Sequence, residues 1–314
     1  MELPRPTELP ATDPVTLRDA LEHQVAAGMA REELAREHYF KSWDHALEHG
    51  ALLIDRDFER AADAIVDGEL ATLQALLAAR PELAGARSTY GHHQTLLQHV
   101  AANGIEVTRQ WQSPQNACEL ARTLLAAGAV PDATCDSYGG DEDTALTLVC
   151  SSAHPAIAGV QGDLVETLCR GGASIDGLTG TSAPLWTAVF SGYGAAVDRL
   201  VACGARIDNL VLAAASGDAD RVRGYFAPDG TLPPQPAQRI AGKALPAEHI
   251  LEYALIYAAA LDRHDVVVFL LTKQPDLTVT EPVYGATALG VARYPHAAAG
   301  RPDGNPAIVA LLAR

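Results

Sequence analysis

The 314-residue chain is predicted to be all-α, a solenoid of about seven stacked helix pairs behind an N-terminal helical cap. Three observations predict it. A short alanine-rich helical phrase recurs along the chain, as "TLLQHVAANG" from Thr95, "TALTLVCSSA" from Thr144, "APLWTAVFSG" from Ala183, "ALIYAAALDR" from Ala254 and "TALGVARY" from Thr287. A second helix and a glycine turn follow, as in "LLAAGAVPDA", "LCRGGASIDG" and "LVACGARIDN". Aromatics make up only 5% of a chain that is 48% hydrophobic, which suits thin, closely stacked helices better than a sheet sandwich. Internal periodicity of this kind decides the fold before any local assignment.

The elements follow in order. Asp13-Pro14 opens a helix carrying Leu17, Leu21 and Val25, and a second carries Leu34, Trp43 and Leu47. These two amphipathic helices, residues 13–57, form the cap that end repeats require. The first twelve residues, with three prolines, are expected to be disordered. The array itself covers 58–314. Its first unit is "FERAADAIVDGELATLQALLAARPELAGA", and a degenerate fifth unit is "NLVLAAASGDADRVRGYF" from Asn209. Where the unit opens on a threonine (Thr95, Thr144, Thr287), that residue caps the inner helix. Leu97, Leu146, Leu185, Ile256 and Leu289 point between the layers, and Ala101, Ala188, Ala214 and Ala259 allow close approach. Gly128, Gly172 and Gly204 close the outer helices in the left-handed region.

This pattern resembles the ankyrin repeat, with its T-P-L-H-x-A-A inner helix and G-A-x-x-N loop. The match is fullest from Ala183-Pro184-Leu185-Trp186-Thr187-Ala188 through Gly204-Ala205-Arg206-Ile207-Asp208. The family's histidine is replaced by Gln98, Thr147, Trp186, Tyr257 or Gly290, and its proline survives only after Ala183. The resemblance implies a non-catalytic protein-recognition scaffold, an adaptor or inhibitor that binds through a concave face and loop fingers.

Insertions occupy 105–115, 154–162 and 295–304, each between the inner and outer helix of a repeat. Insertions on one face of a solenoid mark a binding face, or simply an edge that tolerates length. A fourth, 227–247, is rich in proline and glycine and reads as a linker or surface excursion.

The net charge of −16 argues against nucleic acid or anionic membrane as a partner. Five cysteines without a CxxC read as small buried hydrophobes in a reducing compartment. The start shows no signal-peptide pattern, and no apolar run could span a membrane. The expected location is the cytoplasm. The last repeat, "NPAIVALLAR", offers water little polar surface, so it either docks on a partner chain, a second copy or another segment of this protein, or buries one face inward with alanines covering the other.

No catalytic, cofactor or metal site is expected. His92, His93 and His99 have no compact zinc spacing and read as exposed loop histidines. "VCSSAHP" has no nucleophile elbow, so Cys150 is expected to be buried and inert. "DSYGGDED" lacks the calcium-loop glutamate. The alternative is an enzyme in which His92, His99 or His154 converge as acid–base groups in a cleft with shifted pKa values.

The repeat register places the partner-binding residues. Fingers and inner-helix ends supply His92, Gln94, Ala102 and Asn103 in the second unit, and Asp141, Asp143, Ser151 and Ser152 in the third. The fourth supplies Ser182, Phe190 and Ser191, the sixth Leu261 and Asp262, and the last Tyr284 and Tyr294. The acidic finger Asp141-Glu142-Asp143 would favour a basic partner, and the large apolar residues would anchor it.

Overall fold

The structure is a computed structural model that describes residues 5, 15–26, 28–106, 109–137 and 143–313. The chain divides into two units, 1–174 and 175–314.

Unit 1 begins with three short helices where the sequence predicted two: α1 (Leu17–Ala26), α2 (Arg31–Glu37) and α3 (Trp43–Glu48). The extra break falls around Tyr39, which sits at φ 63°, and Ser42 then caps α3 by accepting from the His45 N–H. These helices close around Leu17, Leu21, Leu34, Phe40 and Trp43, a core that Tyr90 also enters from the first finger. Of the first twelve residues only Arg5 is described, and its guanidinium pairs with Asp67.

Three helix pairs follow: α4 (Arg56–Asp67) with α5 (Leu70–Ala79), α6 (Leu96–His99) with α7 (Ala117–Ala126), and α8 (Ala145–Ser151) with α10 (Gln161–Arg170). A five-residue helix, α9 (Ala153–Ile157), occupies the insertion between α8 and α10. Inner helix packs on inner helix, α4 on α6 on α8, and outer on outer, α5 on α7 on α10. Thr144 caps α8, while at α6 the Gln98 side chain accepts from both the N–H and hydroxyl of Thr95. Leu97, Leu146 and Ala101 are buried between the layers as the pattern requires.

Unit 2 holds four more pairs: α11 (Ala183–Ser191) with α12 (Gly194–Ala202), α13 (Leu210–Ser216) with α14 (Ala219–Arg223), α15 (Ile250–Ala260) with α16 (His264–Leu271), and α17 (Ala288–Arg293) with α18 (Pro306–Leu312). Leu185, Ile256, Ala188, Ala214 and Ala259 are buried, and Leu289 is half-buried. Gly128, Gly172 and Gly204 adopt φ between 97° and 99°, so the left-handed closure of the outer helix is common to both units. The fourth insertion is more ordered than a linker. It carries an antiparallel hairpin, β1 (Gln238–Ile240) with β2 (Lys243–Leu245), which buries Ile240 and Leu245 and turns through Ala241-Gly242, both at positive φ. It is the one strand pair among the described residues.

Repeats normally touch only their sequence neighbours. Unit 2 departs from this. The insertion at 295–304 folds back so that the His296 ring lies 5.1 Å from that of Tyr193, and a Cβ on Gly192 would meet His296 at 3.4 Å. The first and last repeats of this unit therefore meet.

Candidate functional site

Two constellations stand out, one in each unit. In unit 1 the insertion after α6 turns its polar side chains inward. Arg109 is sealed from solvent and grips three carboxylates: Nη2 donates to Glu59 and to Glu106 (2.9 Å), and Nη1 donates to Asp63 (3.1 Å). His99 stands between two acceptors, with Nδ1 3.0 Å from the Thr95 carbonyl oxygen and Nε2 3.2 Å from Glu106. His92 Nε2 lies 3.5 Å from the same carboxylate oxygen, too long for a good hydrogen bond. Gln110 donates to Gln94 (2.7 Å), and its own carbonyl accepts from the Glu106 N–H (3.2 Å). The His38 ring stacks on Tyr90 at 4.2 Å, and Tyr90 in turn faces His92 at 6.1 Å.

Burial sets the electrostatics of this cluster. It pushes His38 down to about 4, lowers His92, and raises Glu59 to about 7, with the neighbouring Glu106 adding to that rise. Burial would also raise Glu106, but Arg109 and the two histidines outweigh it and hold that carboxyl well below the usual range. A buried guanidinium and the carboxylates around it depend on one another, and loss of one member exposes the desolvation cost of the rest.

These positions correct the sequence reading. His92 and His99 are not exposed loop histidines; the insertion covers both, and only His93 is half-exposed, 2.6 Å from Asp136. His92 and Gln94, expected on a binding finger, are fully buried because Tyr90, Gln94 and Gln110 close over that finger. His92 and His99 do come together around one carboxylate, as the catalytic alternative requires. They are sealed from solvent, though, and His154 lies elsewhere, its ring edge-on to Trp111 at 6.0 Å.

Further expected contacts of unit 1 are spent between repeats. Asn103, half-buried, donates to the Leu148 carbonyl (2.6 Å) and to Ser151 (3.0 Å). Ser152 is buried and donates to the Ala102 carbonyl (2.8 Å), and Ala102 itself is buried. Asp143 is buried, and its carboxylate accepts from Ser137, so it offers no charge to a basic partner. Asp141 lies outside the described residues.

In unit 2, Ser182 is buried at the left-handed entry to α11, where a finger residue was expected. Leu261 is buried too. Asp262, at φ 63°, occupies the place that Gly192 and Gly217 hold after α11 and α13, so the expected register was one residue late. Asp262 is exposed and accepts from Asn305.

Phe190 is half-buried, while Tyr284 and Tyr294 lie at the surface. Tyr284 is 74% exposed and Tyr294 67% exposed. The Phe190 and Tyr284 rings stack 5.2 Å apart and only 7° from parallel, and Tyr294 lies close enough to perturb Tyr284 electrostatically. Glu281 fixes the finger from below. Its buried carboxylate accepts the N–H groups of Val283 (2.7 Å), Tyr284 (2.7 Å) and Ala286 (3.1 Å). Ser191 is half-buried at the end of α11. The sequence reading missed Glu281, whose only signal was an acid two residues before a finger.

The two insertions of unit 1 also meet. Gln115 donates to the Ala158 carbonyl (3.0 Å), and the pair leaves Trp111 61% and Ile157 70% exposed. Of the five cysteines, Cys135 and Cys150 are buried, with their thiols pushed up by burial, while Cys118, Cys169 and Cys203 are half-buried rather than core. Among the described residues no helix is long and apolar enough to cross a membrane, and no group of histidine, cysteine and acidic side chains could hold a metal ion.

No family model and no curated protein matches the chain. Among solved structures it is similar to the human ASB11 ankyrin repeat domain, at 18% identity and a TM-score of 0.42, over 80% of this chain and 96% of that one. It is also similar to the ankyrin repeat domain of Bcl-3, titled a unique member of the IkappaB protein family, at 19% identity and a TM-score of 0.39, over 81% and 98% of the two chains. The helix pairs resemble ankyrin repeats in two details: Thr95, Thr144, Asn209 and Thr287 cap inner helices, and Gly128, Gly172 and Gly204 close outer ones in the left-handed region.

Proposed function

We propose that the chain is a non-catalytic protein-interaction scaffold, an adaptor or inhibitor, whose partner docks on the aromatic face of unit 2. The observation that carries this reading is Tyr284, broadly exposed yet held in one place, with one ring face against Phe190 and its backbone tied to Glu281. An exposed aromatic that has already lost its freedom costs little further entropy when a partner covers it. Tyrosine is suited to such anchors because its ring is apolar and its hydroxyl can still bond. Tyr294 extends the same face.

The buried histidines support the scaffold reading over the catalytic one, since general acid–base chemistry needs a substrate proton within hydrogen-bond reach. Asp143, being buried, gives no support to a basic partner. The helix α18 turns Ile308 and Leu312 inward and shows water Pro306, Ala307 and Ala310, so small residues cover the face considered for self-association.

The test is capture of partners from native lysate by the full chain and by a Tyr284→Ala/Tyr294→Ala variant that circular dichroism shows to be folded. A protein retained by the first and lost by the second supports the reading. Equal retention by both removes the aromatic face from it.

A further inference from the structure

The buried cluster of unit 1 carries more hydrogen-bonding groups than it has partners. Tyr90 Oη, His92 Nε2, Gln94 Nε2, Arg109 Nε and His38 Nδ1 are sealed from solvent, and none has a hydrogen-bond partner among the described residues. The five residues are each no more than 2% exposed. They are neighbours: His38 stacks on Tyr90, Tyr90 faces His92, Gln94 follows His92 in the same finger, and Arg109 meets the Glu106 that His92 approaches. Buried polar groups without partners are rare, and each calls for one.

Their roles can be assigned. His38 Nε2 faces Gln24 Oε1 at 2.9 Å, so it carries the ring proton and Nδ1 is a bare acceptor. His92 Nδ1 accepts from the Gln94 N–H at 3.1 Å, so its proton sits on Nε2. Gln94 Nε2 and Arg109 Nε can only donate. The cluster thus presents three donors, one acceptor and a hydroxyl that can act as either. Three donors would repel a cation. Glu59 and Glu106 already match Arg109, with Asp63 beside them, and no positive surplus is left for an anion.

We propose that this buried cluster binds a neutral, hydrogen-bonding small molecule, either ordered water or a compact hydroxyl- or amide-bearing compound. It accepts from His92, Gln94 and Arg109, donates to His38, and bonds the Tyr90 hydroxyl. Bound there, it ties the first finger to the insertion that follows α6.

Tyr90→Phe tests this, because it keeps the ring on His38 and removes only the hydroxyl. With the hydroxyl bonded to a bound molecule, the unfolding equilibrium constant in urea rises about twofold to tenfold. A crystal structure of the wild-type chain then shows density within hydrogen-bond distance of Tyr90 Oη and Gln94 Nε2. Native mass spectrometry separates the two sources: a mass excess on the folded chain marks an organic compound, and its absence beside clear density marks water. An unfolding constant that is unchanged or lowered overturns the proposal, as does a cluster without density. If Tyr90→Phe fails to fold, the density alone decides.

Discussion

The rings of Phe190 and Tyr284 stack 5.2 Å apart and 7° from parallel, although two repeats separate them in sequence. Phe190 closes the inner helix of the first repeat in unit 2, and Tyr284 sits on the finger before the last. Their stack, together with the return of His296 onto Tyr193, joins the ends of a four-repeat unit. Phe190 therefore both supports the fold and carries the proposed face. Its truncation is expected to lower both the melting temperature and partner binding, whereas Tyr294→Ala should lower binding alone. Equal melting shifts for the two variants would contradict this division.

Leu185, on α11, is buried. Leu185→Ala is expected to destabilise unit 2 by about 2–5 kcal/mol, the range for a buried leucine that leaves a cavity. Urea unfolding followed by circular dichroism reads it. A midpoint within error of wild type would mean that Leu185 is not core.

Arg109 is the sole described cation in contact with both Glu59 and Glu106. Arg109→Met leaves those carboxylates buried without their partner, at an expected cost of about 3–5 kcal/mol. Arg109→Lys should recover little of it, because a compact ammonium lacks the fork that reaches three carboxylates. Recovery by lysine to near wild-type stability would show that charge alone, and not the fork, holds the insertion.

The same cluster makes opposed contributions to stability with pH. Folded His38 titrates at about 4, so below about 6.5 the unfolded chain takes up a proton that the folded chain refuses. That contribution is complete above about 6.5 and is lost as the pH falls toward 4; His92 acts in the same direction. Glu59 is raised, so the folded chain keeps a proton that the unfolded chain has released. Its contribution is full below about 4.5 and is lost as the pH rises through about 7. Glu59→Gln removes the second slope. Between about pH 5 and 6.5 the variant's stability should climb more steeply than wild type's, by up to about 1.4 kcal/mol per pH unit. Urea midpoints across that window check it, and parallel curves would contradict it.

Much of the fold was legible because it is written in repetition. Thr144, Gly204 and Leu185 take the same places in successive units, and the structure puts each where the register requires. The residues of the proposed aromatic face, Phe190, Tyr284 and Tyr294, were singled out by the same register, since they sit at recurring positions. The buried cluster was not. Glu106, Arg109 and Gln110 belong to an insertion, outside the repeat, and in sequence they read as an ordinary polar loop. Their burial follows from tertiary partners on α4 and the first finger, 16 to 50 residues away, which no local pattern encodes. His92 and Gln94 were misplaced for the same reason: the register gave their finger position, but not the loop that covers it. Leu261 failed differently, because an aspartate at φ 63° stands where the neighbouring turns use glycine.

The central claim, that unit 2 meets a protein through its aromatic face, is tested most directly by photo-crosslinking. A benzoylphenylalanine placed at Tyr294 is compared in native lysate with one placed at Val130, which is also exposed but lies on unit 1. The account predicts one discrete adduct from position 294, absent from position 130, and abolished by Tyr284→Ala in a chain that circular dichroism shows to be folded. The same adducts from both positions, or an adduct from 294 that survives Tyr284→Ala undiminished, would contradict it.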